Sequence, residues 1–172
     1  MRIRPAKPAD LRAVQSIYAI EVLEATGSFE LTPPDLSEIR RRYRTVLDAS
    51  LPYVVAELDG EIGGFAYAHP YKDRPGYRMT AETTIYLARG HRRQGIGSAL
   101  LEALIEAAGR AGIRQLVAVI GDSANQGSIR VHEKAGFRHV GRLTDVGHKF
   151  GRFLDVVIMQ RALAHAPAPC DA

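Results

Sequence analysis

The apolar residues of this chain change their spacing repeatedly, and each change marks an element. Ile3-Arg4-Pro5 reads as a short strand, and Leu11, Val14, Ile17 and Tyr18 then fall on one helical face. Pro8 and Asp10 supply the start signals of that helix, and Gly27 its expected stop. After a short extended stretch at Ser28-Phe29-Glu30-Leu31, Pro33-Pro34-Asp35 opens a second helix to about Ala49, with Leu36, Ile39, Tyr43 and Val46 as its apolar stripe. Tyr53–Leu58 and Glu61–Ala68 read as strands joined by the hairpin signal Asp59-Gly60. Gly63-Gly64 inside the second strand predicts a bulge or the close approach of another backbone. Pro70–Tyr77 is a polar loop, Thr80–Leu87 a strand, and Gly95–Ala111 a helix ended by Gly112. Leu116–Ile120 is continuously apolar, the pattern of a strand buried on both faces. Gly121–Asn125 reads as a loop and Gln126–Ala135 as a helix stopped by Gly136; Phe137–Val140 begins a strand, Gly147–Arg152 is a loop, and Asp155–Gln160 is the last strand. The order β-α-α-β-β-β-α-β-α-β-β predicts an α/β domain, one mixed sheet flanked by helices. No repeat or linker interrupts it, so residues 1–163 are expected to form one domain, with 164–172 as a disordered tail.

Composition narrows the classes. The chain has 172 residues, 46% of them hydrophobic, enough for a proper core. No apolar run reaches the length of a membrane span, and the polar stretch Met1–Asp10 lacks a signal-peptide pattern. The one cysteine, Cys170, falls in the tail, so disulfides, a cysteine-based metal site and a cysteine nucleophile are not expected, and a cytoplasmic location is. Net charge is +4, from 23 basic and 19 acidic residues. The densest basic runs are Arg40–Arg44, read as a solvated helix face, and Arg89–Arg93. No aromatic-rich basic strand of the RNA-binding kind is present, so nucleic acid is not expected as a partner. His69, His91, His139, His148 and His165 have no ligand spacing, which predicts no metal. No Ser-His-Asp order or nucleophile elbow occurs.

The stretch that suggests chemistry is Ile85–Ala107, where a strand end, a basic glycine turn and a long helix follow one another. Gly95 and Gly97 allow a tight turn and a close ligand, and the unpaired N–H groups and dipole of the helix start favour phosphate. Arg89, Arg92 and Arg93 add fixed charge suited to a pyrophosphate. Leu100 stands where a dinucleotide fingerprint needs its third glycine, and no Lys follows the glycines as in a P-loop.

What the stretch Arg92-Arg93-Gln94-Gly95-Ile96-Gly97 does resemble is the acetyl-CoA signature of the GCN5-related N-acetyltransferases, Arg/Gln-x-x-Gly-x-Gly/Ala. Thr80-Ala81-Glu82-Thr83-Thr84-Ile85-Tyr86-Leu87 is similar to the Thr-Val/Ala-Glu-x-x-Val-Tyr-Val strand of the phosphinothricin and methionine sulfone/sulfoximine acetyltransferases. Ser28-Phe29-Glu30 with Pro33-Pro34, Val117–Gly121, Val131-His132-Glu133 with Gly136-Phe137, and Val146–Asp155 extend the resemblance over most of Ile3–Leu163. It implies a single, mostly antiparallel sheet, acetyl-CoA as cosubstrate, a small amino acid analogue as acceptor, and a homodimer.

Residue by residue, the resemblance sets Arg92, Arg93, Gln94, Gly95, Ile96, Gly97 and Ser98 on the pyrophosphate. It sets Ile85, Tyr86 and Leu87 along the pantetheine amides by strand addition, and Asn125 and Ser128 as polar contacts to that arm. Glu82, sharing a strand face with Thr84 and Tyr86, is the expected general base, acting directly or through a water. His132 stands where many relatives carry the proton donor for the departing thiolate; the alternative is that it only packs and hydrogen-bonds. Arg78, with Arg74 as competitor, and Lys149 are expected to meet anionic groups of the substrate, and Phe29, Glu30 and Thr84 to line its site, although Phe29 reads equally as a core plug. Two other readings stay open. One is an acetyltransferase for a polyamine, an aminoglycoside or a protein N-terminus, and the other is a non-catalytic acyl-CoA sensor.

Overall fold

The computed structural model describes residues 1–91 and 93–163. Arg92 and the expected tail 164–172, with His165 and Cys170, lie outside the described residues. The strands are β1 (Arg2–Pro5), β2 (Tyr53–Leu58), β3 (Glu61–Pro70), β4 (Thr80–Leu87), β5 (Gln115–Gly121), β6 (Arg138–Lys149) and β7 (Arg152–Ala162). The helices are α1 (Leu11–Glu24), α2 (Leu36–Asp48), α3 (Ile96–Arg110) and α4 (Gln126–Lys134). All strands join one sheet in the order β1-β2-β3-β4-β5-β7-β6. Every neighbouring pair is antiparallel except β4–β5, which is parallel.

Alternation along the strands sorts the helices onto two faces. Phe65, Tyr67 and Tyr86 meet Tyr18, Ile39 and Arg42 of α1 and α2 on one face. On the other, Gly64 admits Leu100 of α3: a Cβ there would stand 3.1 Å from Leu100 and 2.9 Å from the Tyr86 carbonyl. Leu100, Leu101 and Leu104 are fully buried, and truncating any one to Ala would cost about 2–5 kcal/mol.

Local signals account for most boundaries. Asp59 and Gly60 both have positive φ, 48° and 89°, as a two-residue hairpin turn requires. The expected irregularity at Gly63-Gly64 is a bulge, since Ala56 pairs with Gly64 and Glu57 with Ile62, leaving Gly63 unopposed. Asp35 caps α2 by accepting from the Glu38 N–H, and Gly95, at φ 79°, precedes α3.

Four expectations are corrected. Helix α1 stops at Glu24, before Gly27, because Ala25 turns extended (φ −137°, ψ 170°) where its carbonyl is taken by Lys149. The segment Gly147–Arg152 is a hairpin, not a loop: β6 runs to Lys149, β7 starts at Arg152, and Phe150-Gly151 turns between them at φ 51° and 72°. The apolar strand β5 is not buried throughout, for Val119 is 40% exposed and lies in a cleft. Finally, the run Arg40–Arg44 is not merely a solvated face. Arg42 reaches inward to Glu30 at 2.6 Å and lies over the Tyr18 ring.

Candidate active site

The site follows from a failure of pairing. β4 and β5 pair from Thr80↔Gln115 to Thr83↔Ala118 and no further, although β4 continues to Leu87 and β5 to Gly121. Beyond Thr83 the strands part, and a cleft of about 890 Å3 opens between them. One wall carries Glu82, Thr84, Ile85, Tyr86 and Leu87, and the other carries Val119, Ile120 and Gly121. Tyr18, Glu21 and the segment 25–30 close it on the α1 side, while Arg93, Gly97, Asn125, Ser128 and His132 line the end toward α3 and α4.

The glycine turn fits a large anionic ligand. Gly95 is left-handed and open to solvent, so its N–H and the first N–H groups of α3 are presented without a side chain in front of them. Gly97 faces the cleft, and a Cβ on it would stand 3.5 Å from Leu87 and 3.6 Å from Val131. Arg93, exposed and at φ 63°, brings a cation to the rim. Ile96 turns its side chain into the core, so only its backbone N–H is available. Gln94 donates to the Gly90 carbonyl at 3.1 Å, and Arg89 is paired with Glu24. Arg92 is outside the described residues; Ser98, in the first turn of α3, does not line the cleft. Asn125 is committed to capping α4, accepting from the Ser128 N–H at 3.3 Å while it lines the cleft.

Glu82 lies on the cleft wall, its side chain 25% exposed, with His69 Nε2 at 3.7 Å from Oε1. Thr84, next on that face, stands opposite Tyr67 in the β3–β4 register. His132 reaches β4 from the opposite face, Nε2 lying 3.5 Å from the Thr83 hydroxyl. Its Nδ1 meets the Ser128 carbonyl at 2.9 Å; a carbonyl only accepts, so Nδ1 carries the proton and Nε2 the lone pair. The ring is 2% exposed, and burial holds its pKa below the usual histidine range. A neutral ring of this tautomer has no Nε2 proton to give a thiolate, which speaks for the packed, hydrogen-bonded alternative.

Other expected substrate contacts turn out to be internally engaged. Lys149 is 3% exposed, and its ammonium donates to the carbonyls of Ala25 at 2.8 Å and Ser28 at 2.7 Å. It is a strut under the cleft wall rather than a cation offered to ligand. Burial also lowers its pKa. Glu30 lines the cleft while accepting from the Tyr18 hydroxyl (2.9 Å) and Arg42 (2.6 Å). Burial, more than the Glu30 carboxylate beside it, pushes the Tyr18 phenol up to about 12. Phe29 lines the cleft with its ring held against Gly121 and Gly147. Arg74 and Arg78 are exposed on the loop leading into β4, at its Glu82 end, and do not line the cleft.

Sequence reasoning missed Asp122. It sits at φ 67° just after β5, buried, and accepts from Thr26 (2.7 Å), the Ala124 N–H (2.9 Å) and Arg152 (2.9 Å). Although burial alone would raise its pKa, these donors hold it below the usual carboxylate range. An acid directly after an apolar strand and Gly121 was the available signal. Val119 gave none, because apolar residues in a strand read as core.

A cleft between parting parallel strands, facing a glycine turn at a helix start, defines a class that comparison makes explicit. The model of the Acetyltransferase (GNAT) family matches residues 14–137, and the chain belongs to that family and is an acetyltransferase enzyme. The chain is 47% identical over 161 residues to the phosphinothricin N-acetyltransferase of Alcaligenes faecalis, covering 94% of this chain and 82% of that one. It is 37% identical over 159 residues to the L-methionine sulfoximine/L-methionine sulfone acetyltransferase of Pseudomonas aeruginosa, covering 92% of each. The crystal structure of a phosphinothricin acetyltransferase from Sinorhizobium meliloti in complex with AcCoA superposes with a TM-score of 0.94 at 39% identity, over 99% of this chain and 93% of that one.

Proposed function

We propose that the protein moves the acetyl group of acetyl-CoA to the amino group of a small amino acid analogue of the phosphinothricin or methionine sulfoximine/sulfone type, with Glu82 as the general base. The observation that carries the reading is the carboxylate of Glu82 on the cleft wall, beside the point where β4 leaves β5. Acetyl-CoA supplies the activated carbonyl. The open amides before α3, with Gly97 and Arg93, fit its pyrophosphate, and the unpaired stretch of β4 fits its amide arm. An ammonium cannot attack until it loses a proton, and Glu82 accepts that proton directly or through one water. Thr84 and Phe29 bound the space beside it. Arg78 and Arg74, at the Glu82 end of β4, are the cations available for the anionic part of the substrate. Two acids of the lining, Glu30 and Asp122, are already matched by Arg42 and Arg152, which weakens the case for a polycation such as a polyamine.

Glu82→Gln keeps the shape and removes the basic oxygen, so turnover at neutral pH should fall by about 10²–10⁴-fold with acetyl-CoA affinity nearly unchanged. Thiol release measured with phosphinothricin, methionine sulfone and spermidine checks both halves. Wild-type turnover in Glu82→Gln would remove the base, and preference for spermidine would remove the substrate class.

We further propose that the chain acts as a homodimer. The β6–β7 hairpin, in which β6 is the edge strand of the sheet, exposes Val140, Leu143, Val146, Phe150 and Phe153, a surface suited to a second copy. Sedimentation of the wild type against Val146→Glu/Phe153→Glu tests this: a wild-type monomer would refute it.

A further inference from the structure

His69 stands directly opposite Glu82 in the β3–β4 register, with Nε2 at 3.7 Å from Oε1. Its other nitrogen, Nδ1, lies 3.1 Å from the Pro70 carbonyl. That carbonyl only accepts, so in the neutral ring Nδ1 carries the proton, and Nε2 turns a free lone pair toward Glu82. Glu82 lines the cleft and His69 does not, yet the His69 side chain is 34% exposed. The pair therefore forms a row from cleft to carboxylate to imidazole to solvent. The 3.7 Å spacing suits an ion pair when the ring is protonated, is longer than a hydrogen bond, and closes by a small rotation of the carboxylate.

We infer that His69 is a positioning residue for Glu82: from behind the cleft its neutral ring receives the proton that Glu82 takes from the amine, and the imidazolium so formed holds the restored carboxylate. The inference rests on Glu82 being the base. Once Glu82 is protonated, its O–H bond breaks, the electron pair stays on the carboxylate, and the proton forms an N–H bond at His69 Nε2. A neutral acid and a neutral imidazole become a carboxylate and an imidazolium, and the proton then leaves to solvent from the exposed ring. Glu82 is thereby returned to its basic form without passing the proton back through the occupied cleft.

Among the described residues, the charged groups around this pair are bonded elsewhere or exposed to solvent. On β3 the nearest titratable group is Tyr67, whose ring lies 6.0 Å away and whose phenol burial keeps neutral. The Tyr53 phenol of β2 is likewise raised by burial. On the helical side, Arg42 and Glu30 are bonded to each other. On the adjoining loop, Lys72 lies over the Tyr71 ring, and Asp73, Arg74 and Arg78 are exposed to solvent screening. Burial works against the His69 imidazolium, but Glu82 outweighs it and the net shift is upward. A protonated ring cannot accept, so the rate should climb with pH as His69 loses its proton.

The experiment uses the whole chain and two readouts. The first follows the His69 ring by NMR through pH 5–9 in the wild type and in Glu82→Gln. Its pKa should lie above the ordinary histidine value and drop in the variant. The second is the pH profile of kcat in His69→Gln. Its kcat at neutral pH should fall roughly tenfold, less than the loss on removing the base itself, and the ascending limb should lose its histidine inflection. The KM for acetyl-CoA should not move, and imidazole in the buffer should restore part of the rate to His69→Ala. A wild-type kcat and pH profile in His69→Gln, or a His69 pKa indifferent to Glu82→Gln, would overturn the proposal. A slow Glu82→Gln beside an unaltered His69→Gln removes only His69, whereas a fully active Glu82→Gln removes the base and this inference together.

Discussion

Replacing Gly147 by Ala tests how the substrate side of the cleft is held. A Cβ at Gly147 would lie 2.2 Å from Phe29 Cε2, 2.5 Å from Cδ2 and 2.7 Å from Cζ. Carbon atoms in contact sit about 3.5–4.0 Å apart, so the ring must retreat by roughly 1.3–1.8 Å. Gly121 backs another edge of the ring, where a Cβ would be 3.0 Å from Cε1, so the open direction is the cleft itself. Gly147 does not use a left-handed backbone, which leaves the collision with Phe29 as the cost. Overpacking of this kind costs about 1–3 kcal/mol, which for a chain of this size lowers Tm by roughly 3–10 °C. The displaced ring should also raise KM for the amine and leave KM for acetyl-CoA alone. Thermal unfolding and steady-state kinetics measure both, with Gly141→Ala as control, since nothing lies within 4 Å of a Cβ there. Shrinking the ring should relieve the strain, so Gly147→Ala/Phe29→Leu should be less destabilised than the two single changes summed. A Gly147→Ala enzyme with wild-type Tm and amine KM would refute the packing argument.

Other outcomes follow from the same geometry. Gly97→Val should weaken acetyl-CoA binding, measured by calorimetry, while Gly97→Ala should keep the fold, because a lone methyl meets only ordinary contacts at 3.5–3.6 Å and the branched side chain also reaches into the cleft. Asp122→Asn should destabilise the chain by about 1.5–3 kcal/mol in urea unfolding, since it weakens the charged hydrogen bonds from Thr26 and Arg152. His132 has a folded pKa below its unfolded value of about 6.5, so below that pH the unfolded chain takes up a proton that the folded ring resists. Stability should therefore drop as pH falls from about 6.5 through the folded pKa, and urea unfolding at pH 7 and 5.5 should show a smaller drop in His132→Asn.

Local chemistry was legible in the sequence, and long-range chemistry was not. The Asp59-Gly60 turn, the Asp35 cap and the Gly95 entry to α3 are decided by a few adjacent residues, and the structure has them where the spacing put them. The end of α1 was misread because a lysine 124 residues further on takes the Ala25 carbonyl. Lys149 itself was expected as a ligand contact from the resemblance, since a cation in that stretch gives no sign of the distant carbonyls it will meet. The exposed Val119 follows from the parting of β4 and β5, which depends on where pairing stops and leaves no mark on the composition of either strand.

The placing of β7 between β5 and β6 has a consequence for how the protein is made. When β6 leaves the ribosome, its partner in the finished sheet does not yet exist, and Leu116–Ile120 presents a bare apolar edge. Only the arrival of Arg152–Ala162 covers that edge and gives β6 a neighbour. A nascent chain halted in this interval would carry an adhesive strand, so its survival depends on the speed of the last stretch of translation or on a chaperone at the tunnel exit.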